Sequence, residues 1–318
     1  MTAPAELLDA ARSGDSTAFE KLVAPYHAEL QAHCYRMLGS LHDADDAVQE
    51  SLVRAWRSIG SLDRRGFVRA WLYKIATNRC LTALESRGRR ELPAEIPPGT
   101  PEIEISWLEP YPDLSPEAQY ITRESVELAF VAALHHLSAI QRAALILREV
   151  LGFSAAEVAE QLDTSTASVN SALQRARAVI GSTAPTQQSV LRDLGHEVVN
   201  AIVTRWSDAW HAGDVTAIVE MLTDDAPYSM PPLPEWYRGQ DEIRAFLLRG
   251  PLQSRWQFLP TTANGQLAFG TYQWDDAARK YLPGGLDVLT IRSGHIADVT
   301  SFLTADLTRF GLPEAIGP

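Results

Sequence analysis

Seven prolines fall between Glu91 and Glu117 (Pro93, Pro97, Pro98, Pro101, Pro110, Pro112 and Pro116), and they interrupt a chain that otherwise reads as helix up to about Ile180. Each proline removes a backbone donor and fixes φ, so no continuous helix crosses this stretch and an extended linker is expected over residues 91 to 118. The same boundary sorts charge. Residues 64 to 90 carry eight Lys/Arg (Arg64, Arg65, Arg69, Lys74, Arg79, Arg87, Arg89 and Arg90) against one acid, Glu85, whereas residues 91 to 118 carry seven acids and no base. The formal net charge of −12 therefore conceals a basic block set beside an acidic one.

At 318 residues the chain exceeds the roughly 100 to 200 residues of one domain, so two or three cores are expected. Its 46% hydrophobic and 21% charged residues are ordinary for a soluble protein. No apolar run reaches the roughly 18 to 20 residues of a membrane span, and MTAPAELLDA lacks the basic and apolar regions of a signal peptide. A cytoplasmic protein with no membrane contact is expected. Cys34 and Cys80 are isolated thiols without metal-ligand spacing, so neither a disulfide, a metal site nor a cofactor is expected, and both should be inert.

Residues 1 to 90 read as helices throughout, and helical periodicity returns from about Ile121 to Ile180. Within the first block stand two segments, DADDAVQESLVRAW (Asp43 to Trp56) and FVRAWLYKIATNRCL (Phe67 to Leu81). On the first, Ala44, Ala47 or Val48, Leu52, Ala55 or Trp56 and Ile59 recur at core spacing. Asp46, Gln49, Glu50 and Val53 then share another face, while Asp43 and Asp45 suit the positive end of the helix macrodipole. On the second, Lys74 and Asn78 lie one turn apart, and Phe67, Trp71 and Ile75 form a stripe expected in the core. Further on, Ser138 with Gln141 and Ser154 with Glu157 have capping-box spacing, so helices start near Ala139 and Ala155, and Gly152 ends the first of them. A third helix from about Ser165 completes a helix-turn-helix, with Val169, Leu173 and Ala176 packing inward.

Taken together, these blocks resemble extracytoplasmic-function sigma factors of bacterial RNA polymerase. The resemblance implies a first DNA-reading domain over 1–90, the linker over 91–118, and a helix-turn-helix domain over 119–182. It implies core RNA polymerase and promoter DNA as partners, leaving any anti-sigma factor unspecified. Asp46, Gln49, Glu50 and Val53 would meet the polymerase clamp helices. Asp63, Arg64, Arg65, Lys74, Asn78 and Arg79 would meet the melted minus-ten element, where cations follow the backbone and pockets hold unstacked bases. Ser168, Asn170, Ser171, Gln174, Arg175 and Arg177 would meet the minus-thirty-five element, Asn and Gln suiting adenine and Arg suiting guanine or phosphate. The chain departs from the commoner pattern at Asn170 and Ala172, where the family often carries basic residues. The linker would either thread the polymerase channel or serve as a disordered spacer; Trp107, Leu108 and Tyr111 speak against a pure spacer, since apolar residues in a linker usually dock somewhere.

GSTAPTQQS (181 to 189) reads as a second linker. Beyond it, three helices (about 197–211, 214–222 and 240–248) precede strands at 255–261, 266–274, 286–292 and 296–303, with Pro283-Gly284-Gly285 and Gly294 as turns. Helices followed by an antiparallel sheet make an α+β domain over 195–318. Its helix pattern, YRGQDEIRAFL and IADVTSFL resemble SnoaL-like cones, which implies a ligand pocket. Trp206, Trp210, Tyr228, Trp236 and Tyr237 are the pocket candidates, with Met230, His295 and Asp298 behind them, and a small-molecule ligand is the implied partner. No constellation fixes a reaction, so no catalytic residue is assigned and a non-enzymatic regulatory module is expected. Two rival readings remain, an autonomous helix-turn-helix regulator and a SnoaL-type enzyme.

Overall fold

The computed structural model describes residues 4–62, 68–85, 90–91, 106–113, 126–180 and 186–317. Asp63, Arg64, Arg65 and Phe67, and most of the acidic linker, lie outside the described residues. The chain forms two compact units. Residues up to 90 and 129–182 make the first; the second contains 183–318 together with linker residues 91–114 and residues 126–128.

The first unit is helical. Its elements are α1 (Pro4–Arg12), α2 (Ser16–Val23), α3 (His27–Leu38), α4 (Leu41–Ser58), α5 (Val68–Glu85), α6 (Leu128–His135, whose first residue falls in the second unit), α7 (Ala139–Leu145), α8 (Ala155–Gln161) and α9 (Thr166–Ile180). Local chemistry sets their ends. Ser40 caps α4 by accepting from the Asp43 N–H, and Gly39 leaves α3 through a left-handed φ of 71°. Ser138–Gln141 and Ser154–Glu157 form complete capping boxes on α7 and α8, each serine and each N3 side chain satisfying the other's backbone,. A π-helical turn, Ile146–Val150, continues α7, and Gly152 stops it at φ 75°.

The core of this unit differs from the expected stripe on α5. Val68, Leu72, Tyr73, Ala76, Thr77 and Cys80 are buried, whereas Trp71 and Ile75 are only half-buried. The inward face is turned by about one residue because the helix packs against both α3 and α4. His33 of α3 meets the Thr77 hydroxyl at 2.9 Å. Burial, helped by nearby Arg36 and Arg69, lowers its pKa to about 3, so His33 is neutral and structural.

The second unit carries α10 (Gln187–Leu194), α11 (His196–Ala212), α12 (Val215–Glu220) and α13 (Gln240–Arg249) beside a six-stranded sheet. The strands are β1 (Pro227–Ser229), β2 (Trp236–Arg238), β3 (Trp256–Ala263), β4 (Gln266–Asp275), β5 (Lys280–Arg292) and β6 (His295–Phe302), in the order β2-β1-β6-β5-β4-β3. All neighbours are antiparallel except β1 and β6. Two expectations are corrected. The segment read as a linker to 189 is helical from Gln187, because Thr186 caps α10 by accepting from the Ser189 N–H. The side chain of Gln187 then pairs with both backbone groups of Ile291 on β5. Nor is Pro283-Gly284-Gly285 a turn: it lies inside β5, where the register with β4 shifts near Thr271. Gly284 is needed there for packing, since a Cβ would stand 2.6 Å from the Trp256 ring.

Both faces of the sheet are covered. The helices bury one against Phe258, Phe269, Leu289, Ile291 and Val299. The other carries Ala268, Tyr272, Leu286, Val288 and Phe302, closed by Leu307 and Phe310 of the C-terminal segment.

Candidate polymerase and promoter interfaces

On α4 the expected faces separate, except that Leu52 is only half-buried. Ala44, Ala47, Val48 and Ala55 are buried with Ser51, while Asp46, Gln49, Glu50 and Val53 are all exposed. Val53 is 50% exposed. Asp45 points elsewhere: it accepts from Gln31 Nε2 at 2.6 Å. Asp43 is buried in the first turn. Both acids therefore serve the fold.

Arg79, expected to face DNA, donates through Nη2 to Glu50 at 2.9 Å. The pairing lowers the Glu50 pKa and raises that of Arg79, so both stay charged. One ion pair thus joins the surfaces of α4 and α5. Asn78 is half-buried one position before Arg79.

Lys74 is occupied from within the same unit. Its Nζ donates to Asp163 Oδ1 at 2.8 Å and to the Glu160 carbonyl at 3.0 Å, both belonging to the helix-turn-helix. Beside it Tyr73 meets Phe153 edge-on, with centroids 5.6 Å apart, and the Arg69 guanidinium lies 4.9 Å from the Tyr73 ring and 5.2 Å from the Phe153 ring. Arg142, which sequence reasoning missed, is 3% exposed. It donates to the carbonyls of Leu134, His135 and Leu137 at the end of α6 and to that of Met37 on α3. Desolvation lowers its pKa to about 10, which leaves it cationic at neutral pH.

The recognition helix α9 buries Val169, Ala172, Leu173 and Ala176. Ser168, Asn170, Ser171, Gln174, Arg175 and Arg177 are all exposed. Because Ala172 is 3% exposed, a basic residue there would point into the packing face. Ser168 also braces the start of the helix through Ser165, their hydroxyls 2.9 Å apart. Arg177 pairs with Glu149 at 2.5 Å.

In the second unit the aromatic candidates mostly converge. Trp206 and Trp210 of α11 are buried, Trp210 stacks on Phe258 at 4.6 Å, and Tyr237 stacks on Phe246 at 4.3 Å beside Tyr228. Trp236 is a correction. It alternates with Tyr237 along β2 and sits under Arg238 instead, whose guanidinium is 5.1 Å from its ring,. His295 is exposed at the start of β6, and Asp298 accepts from the Thr300 hydroxyl at 3.0 Å with its pKa raised to about 7 by desolvation. Sequence reasoning missed Asp287. Buried at 1% exposure, it has its pKa raised to about 7 by desolvation, against the pull of the Ser301 and Tyr228 hydroxyls.

The linker residues described here dock on this second unit. Leu108 and Tyr111 are 1% and 3% exposed. Asn264, at the β3–β4 turn, donates its N–H to the Tyr111 carbonyl and accepts the Tyr111 N–H through Oδ1, both at 2.8 Å. Its Nδ2 donates to the Val126 carbonyl at 2.7 Å. Gly265 N–H donates to Asp113 Oδ2 at 2.8 Å, and Gln266 Oε1 accepts from the Leu128 N–H at 2.9 Å. One hairpin thereby holds both flanks of residues 114–125.

Comparison with known proteins gives the class. Residues 22–90 match the Sigma-70 region 2 family, 127–180 the Sigma-70 region 4 family, and 203–299 the SnoaL-like domain family. The chain is 41% identical to the ECF RNA polymerase sigma factor SigG of Mycobacterium tuberculosis, covering 96% of this chain and 86% of that one. It is 30% identical to SigJ of the same organism over 69% of each. The crystal structure of Mycobacterium tuberculosis SigJ superposes with a TM-score of 0.63 at 25% identity, covering 92% of this chain and 99% of that one.

The fold and these matches define a subunit that directs RNA polymerase to promoters and starts transcription. The chain belongs to the extracytoplasmic-function sigma factors, with a SnoaL-like domain at its C-terminal end. Among the described residues no helix is long and apolar enough to cross a membrane.

Proposed function

We propose that Asp46, Gln49, Glu50 and Val53 dock this sigma factor on core RNA polymerase in the cytoplasm. Lys74, Asn78 and Arg79, with Asp63, Arg64 and Arg65, engage the minus-ten element. Ser168, Asn170, Ser171, Gln174, Arg175 and Arg177 read the minus-thirty-five element. The chain itself catalyses no reaction. The observation that carries this reading is the exposure of the whole α4 quartet and the whole α9 set, opposite the buried faces of the same two helices.

The two elements are about 25 base pairs apart, roughly 85 Å at 3.4 Å per pair. A lysine bonded across the two readers at 2.8 Å cannot serve both at that span, so the arrangement described here is a resting one that opens on polymerase. Such a transition exchanges the Lys74–Asp163 pair for phosphate contacts. The SnoaL-like domain modulates it by holding linker residues 106–113, which in the holoenzyme occupy the polymerase channel. Run-off transcription with core polymerase tests the reading. Asp46→Arg should abolish transcript while leaving the circular dichroism spectrum unchanged; full activity in that variant removes the proposed docking face.

A further inference from the structure

Among the described residues α5 carries three cations, and each has an acid against it. Arg69 meets Glu29 through Nε at 2.9 Å and Nη2 at 2.8 Å, Lys74 meets Asp163 at 2.8 Å, and Arg79 meets Glu50. The basic reading helix is thus charge-paired along its length. The three acids differ in where they stand. Glu29 lies on α3 and also accepts from the Tyr73 hydroxyl at 3.0 Å, so Arg69 belongs to the fold. Asp163 belongs to the helix-turn-helix and leaves Lys74 when the two readers part. Glu50 does neither. It stands on α4, packed beside α5 within the same region 2 domain, so parting the readers leaves Arg79 as paired as before.

The contact engages both carboxylate oxygens. Arg79 Nη2 donates to Oε1 at 2.9 Å and Nε stands 2.5 Å from Oε2, while only 22% of the arginine side chain is exposed. A phosphate approaching that guanidinium meets a carboxylate already there, and the two anions repel. A cation neutralised in this way releases few counterions on binding DNA, so Arg79 adds little affinity in the free protein. The Glu50 side chain is 50% exposed, on the face it shares with Asp46, Gln49 and Val53. A pair this open to solvent is weak and exchanges readily. We propose that Glu50 is a gate on Arg79, released by a cationic side chain of core polymerase that takes the carboxylate as α4 docks. Docking on one helix thereby frees the DNA-facing arginine of the next. This rests on the reading of α4 as the polymerase face and of Arg79 as a minus-ten contact, and adds the order in which they act.

Fluorescence anisotropy of a labelled oligothymidylate, titrated with the full chain in the absence of polymerase, tests the gate. Oligothymidylate serves because a phosphate contact needs no particular base. Glu50→Gln removes the charge and keeps the shape. It should raise affinity about fivefold at about 0.1 M salt and steepen the log–log salt slope by about 0.7, the effect of one added phosphate contact on a single strand. Glu50→Ala should do the same. In an Arg79→Gln background both gains should vanish. No gain in either Glu50 variant at any salt, or a gain that survives Arg79→Gln, overturns the gate. Promoter binding by holoenzyme made with Arg79→Gln tests the contact itself, and there the salt slope should fall by about 0.7 to 0.9. A slope that falls in holoenzyme while the free Glu50 variants gain nothing removes the gate and leaves the two assignments standing. An unmoved slope removes Arg79 as a DNA contact and the gate with it.

Discussion

Replacing Asn264 by glycine should release the linker from the SnoaL-like domain without breaking the domain. Asn264 holds a left-handed φ of 55°, which glycine adopts without strain. The substitution deletes two side-chain bonds, one to the Tyr111 N–H and one to the Val126 carbonyl. Asn264 is 0% exposed and Tyr111 3%, so each backbone group would lose its bond away from solvent. A buried group deprived of its bond costs about 1–3 kcal/mol, giving about 2–6 kcal/mol for the pair. At about 1.4 kcal/mol per factor of ten, the docked fraction of the linker should fall by roughly 30-fold or more. Hydrogen exchange with mass spectrometry reads this directly. Amides of 106–113 should lose protection while those of β4 and β5 keep theirs. Asn264→Asp retains the acceptor and should fall between. Unchanged exchange in 106–113, or equal loss across the whole sheet, refutes the clamp. If docking restrains the linker, the glycine variant should also start transcripts faster on core polymerase.

Three further outcomes follow from the same geometry. Gln49→Ala should reduce copurification with core polymerase several-fold while shifting Tm by less than about 2 °C, the cost of an exposed substitution; wild-type recovery of polymerase argues against the face. Asn170→Ala should relax base preference at the upstream element by about 1–3 kcal/mol, whereas Arg177→Ala should weaken all promoters alike and lower the salt slope by about 1. Identical selectivity profiles for the two variants would contradict direct reading. Finally, Asp287 has its folded pKa raised to about 7, so the folded state holds a proton that the unfolded chain releases above the ordinary carboxylate range near 3.9. Stability is then greatest below that range and declines as pH climbs to about 7. At about 1.4 kcal/mol per pH unit, the loss from this group is on the order of 4 kcal/mol, and Asp287→Asn should flatten the Tm profile between pH 5 and 8. A profile no flatter than wild type would show that Asp287 is not the group responsible.

Features written in local chemistry were legible in the sequence. Both capping boxes need only a serine and its N3 partner, and both formed. The exposed faces of α4 and α9 likewise follow from helical spacing alone. What escaped depends on distant partners. Pro283-Gly284-Gly285 has turn composition, yet Gly284 is small to admit Trp256, 28 positions earlier in the chain. Asp287 sits in LDVLTIR, where alternation should place an acid outside; the sheet is covered on both faces, so neither parity reaches water. Asn264-Gly265 went unread although Asn-Gly is a tight-turn pair, and it forms one with φ of 55° and 69°. Nothing in a turn signal announces that its side chain will grip another segment. The apolar Leu108 and Tyr111 did announce docking, without naming where.

Arg142 bears on how the two readers can separate. Of the carbonyls it serves, only that of Met37 lies on α3; those of Leu134, His135 and Leu137 travel with its own helical pair. Parting the domains therefore takes one acceptor from a cation that keeps its remaining ligands. A guanidinium left naked in a dry crevice would lock such a hinge shut or ruin it on first use. In the opening proposed above, this positive charge would carry most of its partners along.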